Sequence, residues 1–340
     1  MSQLLKMEID LNKIKENINN IQEFTSKKLI PVIKSNAYNL GDHMLMELVN
    51  ELHLTYGAVV DMDEAIRLLN YNFEYSLLIL NSLCYSEYGY LNKYPNLAIS
   101  INKIEDAITL SKIDLTYPIN VHLQIDTGMN RLGFTNILDF RKTIAILLSI
   151  KNVNIEGIYT HFSSKNNALK QLEKFEEYSL LYPFKMIHLA ASSTYEHINY
   201  GNYIRVGLNV YGISKDTQSI KVSCFPLAIN NVKKGEFVGY EERFEAINDS
   251  RIAVLPIGYA NGFRRSLSGY NLLANGKFYK TVGLICMNHV FVEVDDSVDL
   301  NSEFIITSVD HPVEDMAKFL NTTPHEILCM LNIDNKLYKR

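Results

Sequence analysis

The sequence lacks the features that mark several large classes of protein. Its 340 residues include only four cysteines, which stand far apart and form no CxxC pair. Scattered thiols of this kind argue against a disulfide scaffold and against a zinc site, and they fit reduced cysteines in a cytosol. We therefore expect a cytoplasmic protein that holds no metal.

Long apolar runs and clusters of positive charge are also missing. The apolar stretches are interrupted by charged residues well short of a membrane span, and the chain starts without an apolar core of signal-peptide length. The net charge is -5 and there is no basic run, which argues against nucleic acid as the main partner. We expect neither a membrane nor a nucleic-acid partner.

The chain is instead rich in apolar residues, which make up 47% of it and can fill the cores of two domains. Through its first two-thirds, short β-rich runs alternate with amphipathic helical segments. The candidate strands are residues 29–34, 56–60, 76–81, 97–101, 120–126, 155–162, 186–192 and 203–212. In the segment before them, apolar residues recur every three or four positions from Leu11 to Phe24, which predicts a helix with Asp10 as its N-cap. Segments 136–150 and 166–182 show the same pattern.

Eight strands that alternate with helices predict an α/β fold with a parallel sheet, and eight is the number that closes a (β/α)8 TIM-like barrel. An open doubly wound sheet is the alternative, but its Gly-rich phosphate turn, GxGxxG, does not occur here. After about residue 223 the pattern becomes β-rich, with a hairpin signal at Asn275-Gly276 and two short helices near 313–320 and 323–331. We predict a barrel over residues 10–222 and a mainly β C-terminal domain over residues 223–340.

The most informative stretch is Val121–Phe134, where an alternating strand runs into the string DTGMNRLGF. The string places Arg131 between two glycines, where a guanidinium can hold a carboxylate through two parallel hydrogen bonds. It closely resembles a signature of the alanine racemase family, whose members use pyridoxal phosphate on a β/α barrel. Further segments resemble motifs of that family in family order: PVIKSNAY (31–38), GIYTHF (157–162), HLAASS (188–193), IRVGLNVYG (204–212), PIGYANG (256–262) and GLICMN (283–288).

The resemblance implies an amino-acid racemase that moves the Cα proton with two bases, one on each face of the substrate. Lys34, in PVIKSNAY, would bind pyridoxal phosphate covalently and act as one base. Tyr240, which precedes Tyr259 of the PIGYANG segment by 19 residues, would be the other. In the family this tyrosine reaches the barrel of a second copy, so the resemblance implies a homodimer with shared active sites. It also implies that residues 1–9 form a strand that joins the C-terminal domain.

The resemblance assigns the remaining contacts of the cofactor and the substrate. Arg205 would face the pyridine nitrogen, steadied by His188, and His161 would lie beside the ring. The phosphate would bind to the hydroxyls of Tyr38 and Ser192 and to the backbone N–H groups of Gly207 and Leu208. Arg131 would hold the carboxylate of a small amino acid or orient the cofactor phenolate, and the Met287 backbone N–H would help at the carboxylate.

Five positions depart from the family pattern near this site. Gln124 stands where a lysine, often carbamylated, is usual, so Arg131 must be oriented by other groups. Ala191 and Asn288 replace an asparagine and an aspartate, and Asn261 replaces a second aspartate. Ile333 stands near the place of a tyrosine that narrows the pocket in the family.

These departures leave substrate specificity open. Alanine, giving D-alanine for cell-wall peptidoglycan, is the favoured substrate, and serine or a larger amino acid is the first alternative. A related pyridoxal phosphate decarboxylase and a non-catalytic protein that binds the cofactor are further alternatives. The motifs at 256–262 and 283–288 argue against the last, because single-domain barrels of that type resemble only the first part of the chain.

Overall fold

The structure is a computed structural model that describes residues 4–71, 75–189, 191–192, 194–214 and 216–340. Parts of two predictions fall outside these residues: the start of the predicted N-terminal strand, at 1–3, and two positions of the HLAASS segment, Ala190 and Ser193. The chain forms two compact units, one of residues 18–37 and 41–210 and the other of residues 1–17, 38–40 and 211–340. The domain boundaries predicted from sequence, at residues 9 and 222, stay a prediction.

The first of these units, called the barrel unit below, is built on an eight-stranded parallel sheet. After a first strand, β1 (Leu5–Asp10), its strands are β2 (Lys28–Pro31), β3 (Tyr56–Val59), β4 (Ser76–Ile79), β5 (Leu97–Ile101), β6 (Ile119–Ile125), β7 (Val153–Thr160), β8 (Met186–His188) and β9 (Tyr203–Val206). Their order is β2-β9-β8-β7-β6-β5-β4-β3. The sheet closes on itself between its first and last strands, where Val32 pairs with Ala58 in parallel and the Ile33 N–H donates to the Ala58 carbonyl at 2.9 Å.

Helices alternate with these strands as predicted. They are α1 (Leu11–Thr25), α2 (Lys34–Asn39), α3 (Asp42–Glu51), α4 (Met62–Leu69), α5 (Ile104–Leu110), α6 (Ile137–Ser149), α7 (Ala168–Ser179) and α8 (Leu208–Tyr211), with a 3₁₀ segment at Tyr85–Asn92. The Asp10 carboxylate accepts the Lys13 N–H at 2.9 Å, so α1 begins at the predicted cap. All five residues of β5 are buried, as expected for a parallel strand covered on both faces.

The second unit, called the C-terminal unit below, contains most of the remaining strands. They are β10 (Ile220–Cys224), β11 (Ala228–Val232), β12 (Ser250–Leu255), β13 (Asn271–Ala274), β14 (Lys277–Val282), β15 (Val290–Val294), β16 (Phe304–Thr307) and β17 (Lys336–Lys339), with α9 (Val313–Phe319), α10 (Pro324–Met330) and 3₁₀ turns at Tyr240–Glu242, Tyr259–Asn261 and Arg265–Leu267. Together with β1 they form a nine-stranded sheet in the order β11-β12-β15-β14-β13-β16-β10-β1-β17.

Two local features of this sheet follow from its sequence. Asn275 and Gly276 both have positive φ angles, 49° and 76°, which is the backbone of the tight hairpin that their sequence predicts between β13 and β14. Strand β1 pairs antiparallel with β10 and parallel with β17.

The structure thus confirms a (β/α)8 barrel followed by a mainly β domain. Of the described residues, no helix combines the length and the apolar character needed to cross a membrane.

Seven of the eight predicted strands extend past the carboxyl ends of the observed strands, and three of them do so by three residues or more. The ladders stop at Pro31, His188 and Val206, whereas the apolar patterns continue to residues 34, 192 and 212. After Val206, the buried residues Leu208, Val210 and Tyr211 all lie in α8. A short buried helix and a buried strand show the same run of apolar residues, so the sequence could not separate them.

Candidate functional site

The carboxyl ends of the parallel strands collect most of the predicted site residues at one end of the barrel. Lys34 follows β2, Arg131 follows β6, and the half-buried His161 follows β7 directly. Ser192 and Gly207 follow β8 and β9. Because all eight strands run in parallel, these segments share one edge of the barrel, the edge where barrel enzymes build their active sites.

The segment directly after Lys34 has an unusual backbone. Five consecutive residues, 35–39, have positive φ angles between 52° and 67°, so this stretch of α2 is left-handed. Each L-residue in that conformation costs about 1–2 kcal/mol, and among common residues only glycine, asparagine and aspartate adopt it readily. Asn36 and Asn39 fit that preference, whereas Ala37 and Tyr38 do not. Surrounding contacts must therefore hold the segment, a feature that the sequence prediction of a simple strand end missed.

Tyr38, within this left-handed stretch, is assigned by its contacts to the C-terminal unit. Its side chain is buried, with ring centroids 5.0 Å from Tyr211 and 5.9 Å from His325. Burial, followed by a smaller effect of Cys329, raises the pKa of its hydroxyl. The phenol therefore keeps its proton at neutral pH and remains a hydrogen-bond donor.

Arg205 is a buried cation inside the barrel. It is 4% exposed, its Nη1 contacts Nδ1 of His188 at 2.9 Å, and its Nη2 donates to the Thr160 carbonyl at 2.6 Å. The guanidinium also lies over the Tyr159 ring at 4.7 Å. Burial lowers the pKa of Arg205 to about 10, so the side chain stays protonated at neutral pH. The predicted pairing of Arg205 with His188 is present.

The contact to Arg205 continues as a chain of hydrogen bonds across the barrel interior, which sequence analysis did not predict. Nε2 of His188 lies 2.7 Å from Nδ1 of His122, and Nε2 of His122 lies 3.3 Å from the Glu156 carboxylate. The Tyr56 hydroxyl donates to the same carboxylate. We call Arg205, His188, His122, Glu156 and Tyr56 the interior chain. Its members are distant in sequence, and the sequence analysis named only Arg205 and His188 among them.

The interior chain has one consistent direction of donation. Burial lowers the pKa of both histidines, so each ring is neutral and carries one proton. Because Arg205 has no acceptor, it donates to Nδ1 of His188, which leaves the His188 proton on Nε2. That proton points at Nδ1 of His122, whose own proton then lies on Nε2 and faces Glu156. Although burial opposes it, hydrogen bonding from His122 and Tyr56 lowers the pKa of Glu156, so the chain ends on a carboxylate.

A glycine makes room for this chain. A Cβ atom at Gly157 would lie 2.2 Å from Nδ1 of His122. No side chain fits there without displacing the ring, which gives a physical reason for the glycine in the GIYTHF segment. Tyr159, two residues on, stacks against the His188 ring with centroids 4.8 Å apart and planes 15° apart.

Gln124, one of the departures from the family pattern, also contacts Tyr159. Its side-chain carbonyl accepts the Tyr159 hydroxyl at 2.8 Å, and that hydroxyl lies 2.7 Å from the hydroxyl of Ser100. Burial raises the pKa of Tyr159 to about 12, so the phenol stays neutral. In this chain the amide therefore supports the tyrosine that lies under Arg205.

The DTGMNRLGF loop is shaped by the carboxylate of Asp126. Its two oxygens accept the backbone N–H groups of Gly128 at 2.8 Å, Asn130 at 3.0 Å and Arg131 at 3.0 Å. The loop then returns to β6, where a Cβ at Gly133 would lie 2.7 Å from the Asp126 nitrogen. Thus the aspartate and the second glycine of the string fix the backbone of Arg131, independently of the residue at position 124.

Ser192 and the turn after β9 lie together. The Asn209 N–H contacts the Ser192 hydroxyl oxygen at 3.4 Å, and the Asn209 side-chain amide contacts the Ser192 carbonyl at the same distance. Gly207 and Leu208 open this turn. A hydroxyl and the backbone of a tight turn are thereby placed side by side, a combination that suits an anion.

The two C-terminal motifs, PIGYANG and GLICMN, are joined by backbone hydrogen bonds within the C-terminal unit. The Tyr259 N–H donates to the Cys286 carbonyl at 3.1 Å and the Ala260 N–H to the Met287 carbonyl at 2.9 Å. A Cβ at Gly258 would lie 2.4 Å from both carbonyl oxygens. The contact presents Met287 at the surface, where it is 55% exposed.

Tyr240 is also on the surface of the C-terminal unit. It is 65% exposed and begins a 3₁₀ turn in which Glu241 and Glu242 have positive φ angles of 59° and 51°. Ile333, in contrast, is only 1% exposed.

Comparison with known proteins gives a consistent result. A sequence model described as "Alanine racemase, N-terminal domain" matches residues 9–215, and one described as "Alanine racemase, C-terminal domain" matches residues 220–337. An alanine racemase of Fusobacterium nucleatum is 30% identical over 89% of this chain and 91% of its own length. Alanine racemase 1 of Bacillus subtilis is 28% identical over 96% of this chain and 90% of its own.

Solved structures show the same likeness over the whole chain. The crystal structure of an alanine racemase from E. faecalis superimposes with a TM-score of 0.92 at 25% identity, covering 98% of both chains.

Proposed function

The chain belongs to the alanine racemase family, and we propose from its site that it interconverts L- and D-alanine with pyridoxal phosphate as cofactor. The observation that carries this proposal is Arg205, a buried cation held by a neutral histidine at the barrel end where Lys34 also lies. Such a cation suits the nitrogen of the cofactor ring, to which it can donate a hydrogen bond. Because a guanidinium does not readily give up its proton, it does not protonate that nitrogen. The product would supply D-alanine for peptidoglycan, in the cytoplasm, as the family resemblance implies.

The residues present fit pyridoxal phosphate. The Lys34 amine would hold its aldehyde carbon covalently, and Arg205 would donate to its ring nitrogen. Tyr38, which burial keeps protonated, and Ser192 would donate hydroxyl hydrogen bonds to its phosphate, as would the N–H groups of Gly207 and Leu208. His161 would lie beside the ring.

When bound, pyridoxal phosphate withdraws electrons from the substrate Cα and makes its proton removable. Nζ of Lys34 would take or return that proton on one face, and the Tyr240 hydroxyl oxygen would do so on the other. The guanidinium of Arg131 and the Met287 N–H would hold the substrate carboxylate. Since Arg205 keeps its own proton, it would donate a hydrogen bond to the ring nitrogen without protonating it. The bound ring would then withdraw electrons only moderately, which would favour return of the proton over side reactions.

The two-base scheme includes a homodimer. Tyr240 and Met287 are both more than half exposed, and large exposed apolar or aromatic side chains are typical of protein contact surfaces. In the proposed assembly these residues of one chain complete the barrel end of the other, so that each active site uses both chains.

The test is a panel of L-amino acids incubated with purified protein and pyridoxal phosphate, followed by chiral chromatography and CO₂ detection. We expect L-alanine to become a mixture of both enantiomers without CO₂ release. Lys34→Ala should abolish the reaction and the visible absorption of the bound cofactor, whereas Lys103→Ala, at another strand end of the barrel, should change neither. Release of CO₂ or the absence of racemisation would refute the proposal.

A further inference from the structure

Helix α4 holds the turn that follows Lys34. One carboxylate oxygen of Glu64 accepts the Ser35 N–H at 2.6 Å, and the other accepts the Val60 N–H at 3.0 Å. Hydrogen bonds to a charged acceptor are stronger than those between neutral groups. One side chain thus joins the loop after β3 to the residue directly after Lys34.

The same helix makes a second contact one turn later. Nε and Nη2 of Arg67 lie 3.1 Å and 2.5 Å from the carboxylate of Asp42, which is buried. The Asp42 N–H in turn donates to the side-chain oxygen of Asn36 at 3.0 Å. Helix α4 therefore restrains the chain at the start of the left-handed stretch and again just beyond its end, with all of these contacts inside the barrel unit.

The strained backbone gives these contacts their importance. Residues 35–39 are left-handed, a conformation that L-residues keep only when the surroundings over-determine it. The Ser35 N–H is the first group of that stretch, and it is one peptide bond away from Lys34. If its acceptor is lost, the stretch can relax towards ordinary backbone angles, and Lys34 changes direction with it.

We propose that Glu64 is a positioning residue for Lys34. Its carboxylate fixes the Ser35 amide, and so it sets where the Lys34 amine stands at the barrel end. The inference rests on the proposed function, in which Lys34 binds pyridoxal phosphate. In this role the first turn of α4 supports cofactor attachment through Lys34, and Glu64 itself does not contact the cofactor.

Three variants separate this role from a general effect of charge. Glu64→Ala removes both hydrogen bonds, and Glu64→Gln offers only one acceptor atom for the two N–H groups. Asp63→Asn is the matched control, because Asp63 precedes Glu64 in the same first turn and its loss removes the same charge from the helix end. Asp63 takes part in neither the hydrogen bond to the Ser35 N–H nor the one to the Val60 N–H.

The experiment titrates cofactor-free protein with pyridoxal phosphate and follows attachment by visible absorption. We expect affinity to fall by about ten- to a hundredfold in Glu64→Ala, the range for loss of hydrogen bonds to a charged group, and by less in Glu64→Gln. Asp63→Asn should match the wild type. Amide hydrogen exchange of the cofactor-free chains should speed up over residues 35–42 in the Glu64 variants alone.

Several outcomes would overturn the inference. Unchanged attachment in both Glu64 variants despite faster exchange would show that Glu64 holds the loop without positioning Lys34. An equal loss in Asp63→Asn would assign the effect to charge. If Glu64→Ala fails to fold, Glu64→Gln carries the same comparison. Covalent attachment that persists in Lys34→Ala would instead refute the proposed function, and the two failures are therefore distinguishable.

Discussion

The barrel end and the surface around Tyr240 carry residues proposed for one reaction, yet they are built on opposite principles. Arg205 is 4% exposed and donates to His188 and Thr160, whereas Tyr240 and Met287 are 65% and 55% exposed. Buried polar groups must find partners inside their own chain, so the barrel side of the site positions its residues before any association. The exposed side has room for a partner. The difference predicts which residues act alone and which depend on a second chain.

The largest expected effect concerns Tyr240. Because each base takes the proton from one enantiomer, Tyr240→Phe should slow Cα proton exchange from one enantiomer by on the order of 10²–10⁴-fold and affect the other far less. Exchange into deuterated solvent, followed separately for L- and D-alanine, measures both directions. Tyr85→Phe, a similarly exposed tyrosine of the barrel unit, is the control. Equal small losses in both directions would remove Tyr240 from the mechanism.

The next effect tests whether the exposed side completes a second chain. Lys34→Ala and Tyr240→Phe chains should each be inactive in racemisation, but a mixed dimer would have one site with both residues intact. Random exchange of subunits in a two-fold dimer should then restore roughly a quarter of the wild-type activity. Mixing followed by an activity assay and mass analysis of the dimers provides the measurement. Proven heterodimers without activity would mean that each site is built from a single chain.

The same contrast explains how much of the molecule the sequence could predict. Local signals were sufficient for the fold: Asp10 caps α1, and Asn275 with Gly276 makes the tight hairpin. The order of strands and helices followed from apolar periodicity, since a barrel of this kind consists of eight buried parallel strands that alternate with helices. Lys34 and Arg131 were placed by resemblance, and the structure puts both after barrel strands.

The supporting contacts could not be predicted, because they join residues far apart in the chain. His122 meets His188 across 66 positions, and Glu64 meets Ser35 across 29. The left-handed stretch after Lys34 was hidden for another reason. Its backbone is imposed by neighbours, whereas residues such as Ala37 and Tyr38 favour other conformations.

A smaller effect should distinguish the two regions by pH. Burial lowers the pKa of His122 and His188, whereas in the unfolded chain both titrate near their usual 6.5 or so. Below about pH 6.5 the unfolded chain binds more protons than the folded one. The free energy of unfolding therefore keeps its full value above that pH and decreases as the pH falls below it. Each histidine should cost about 1.4 kcal/mol per pH unit until its folded pKa is reached.

Hydrogen exchange below about pH 6 measures this difference region by region. Strands β6 to β9, which carry both histidines and four of the five members of the interior chain, should lose protection before the strands of the C-terminal unit. His122→Gln should reduce the pH dependence, and His197→Gln, an exposed histidine of the same unit, should not. Simultaneous loss in both regions with an unchanged slope in His122→Gln would show that the interior histidines do not set the acid sensitivity.

The smallest effect concerns the choice of substrate, where one exposed and one buried residue of the C-terminal unit depart from the family pattern. Asn288, next to Met287, replaces an aspartate that is usual in the family, so a negative charge is missing beside the proposed carboxylate site. Ile333 stands near the place of a family tyrosine but is only 1% exposed. Serine differs from alanine by one hydroxyl, and a pocket without a dedicated contact rejects an added hydroxyl by only about 10²-fold. We therefore expect serine to be racemised measurably, with kcat/KM within about that factor of alanine. Chiral chromatography of both reactions at equal enzyme concentration gives the ratio. Serine turnover at background would mean that another side chain fills the place of the missing tyrosine and closes the pocket around a methyl group.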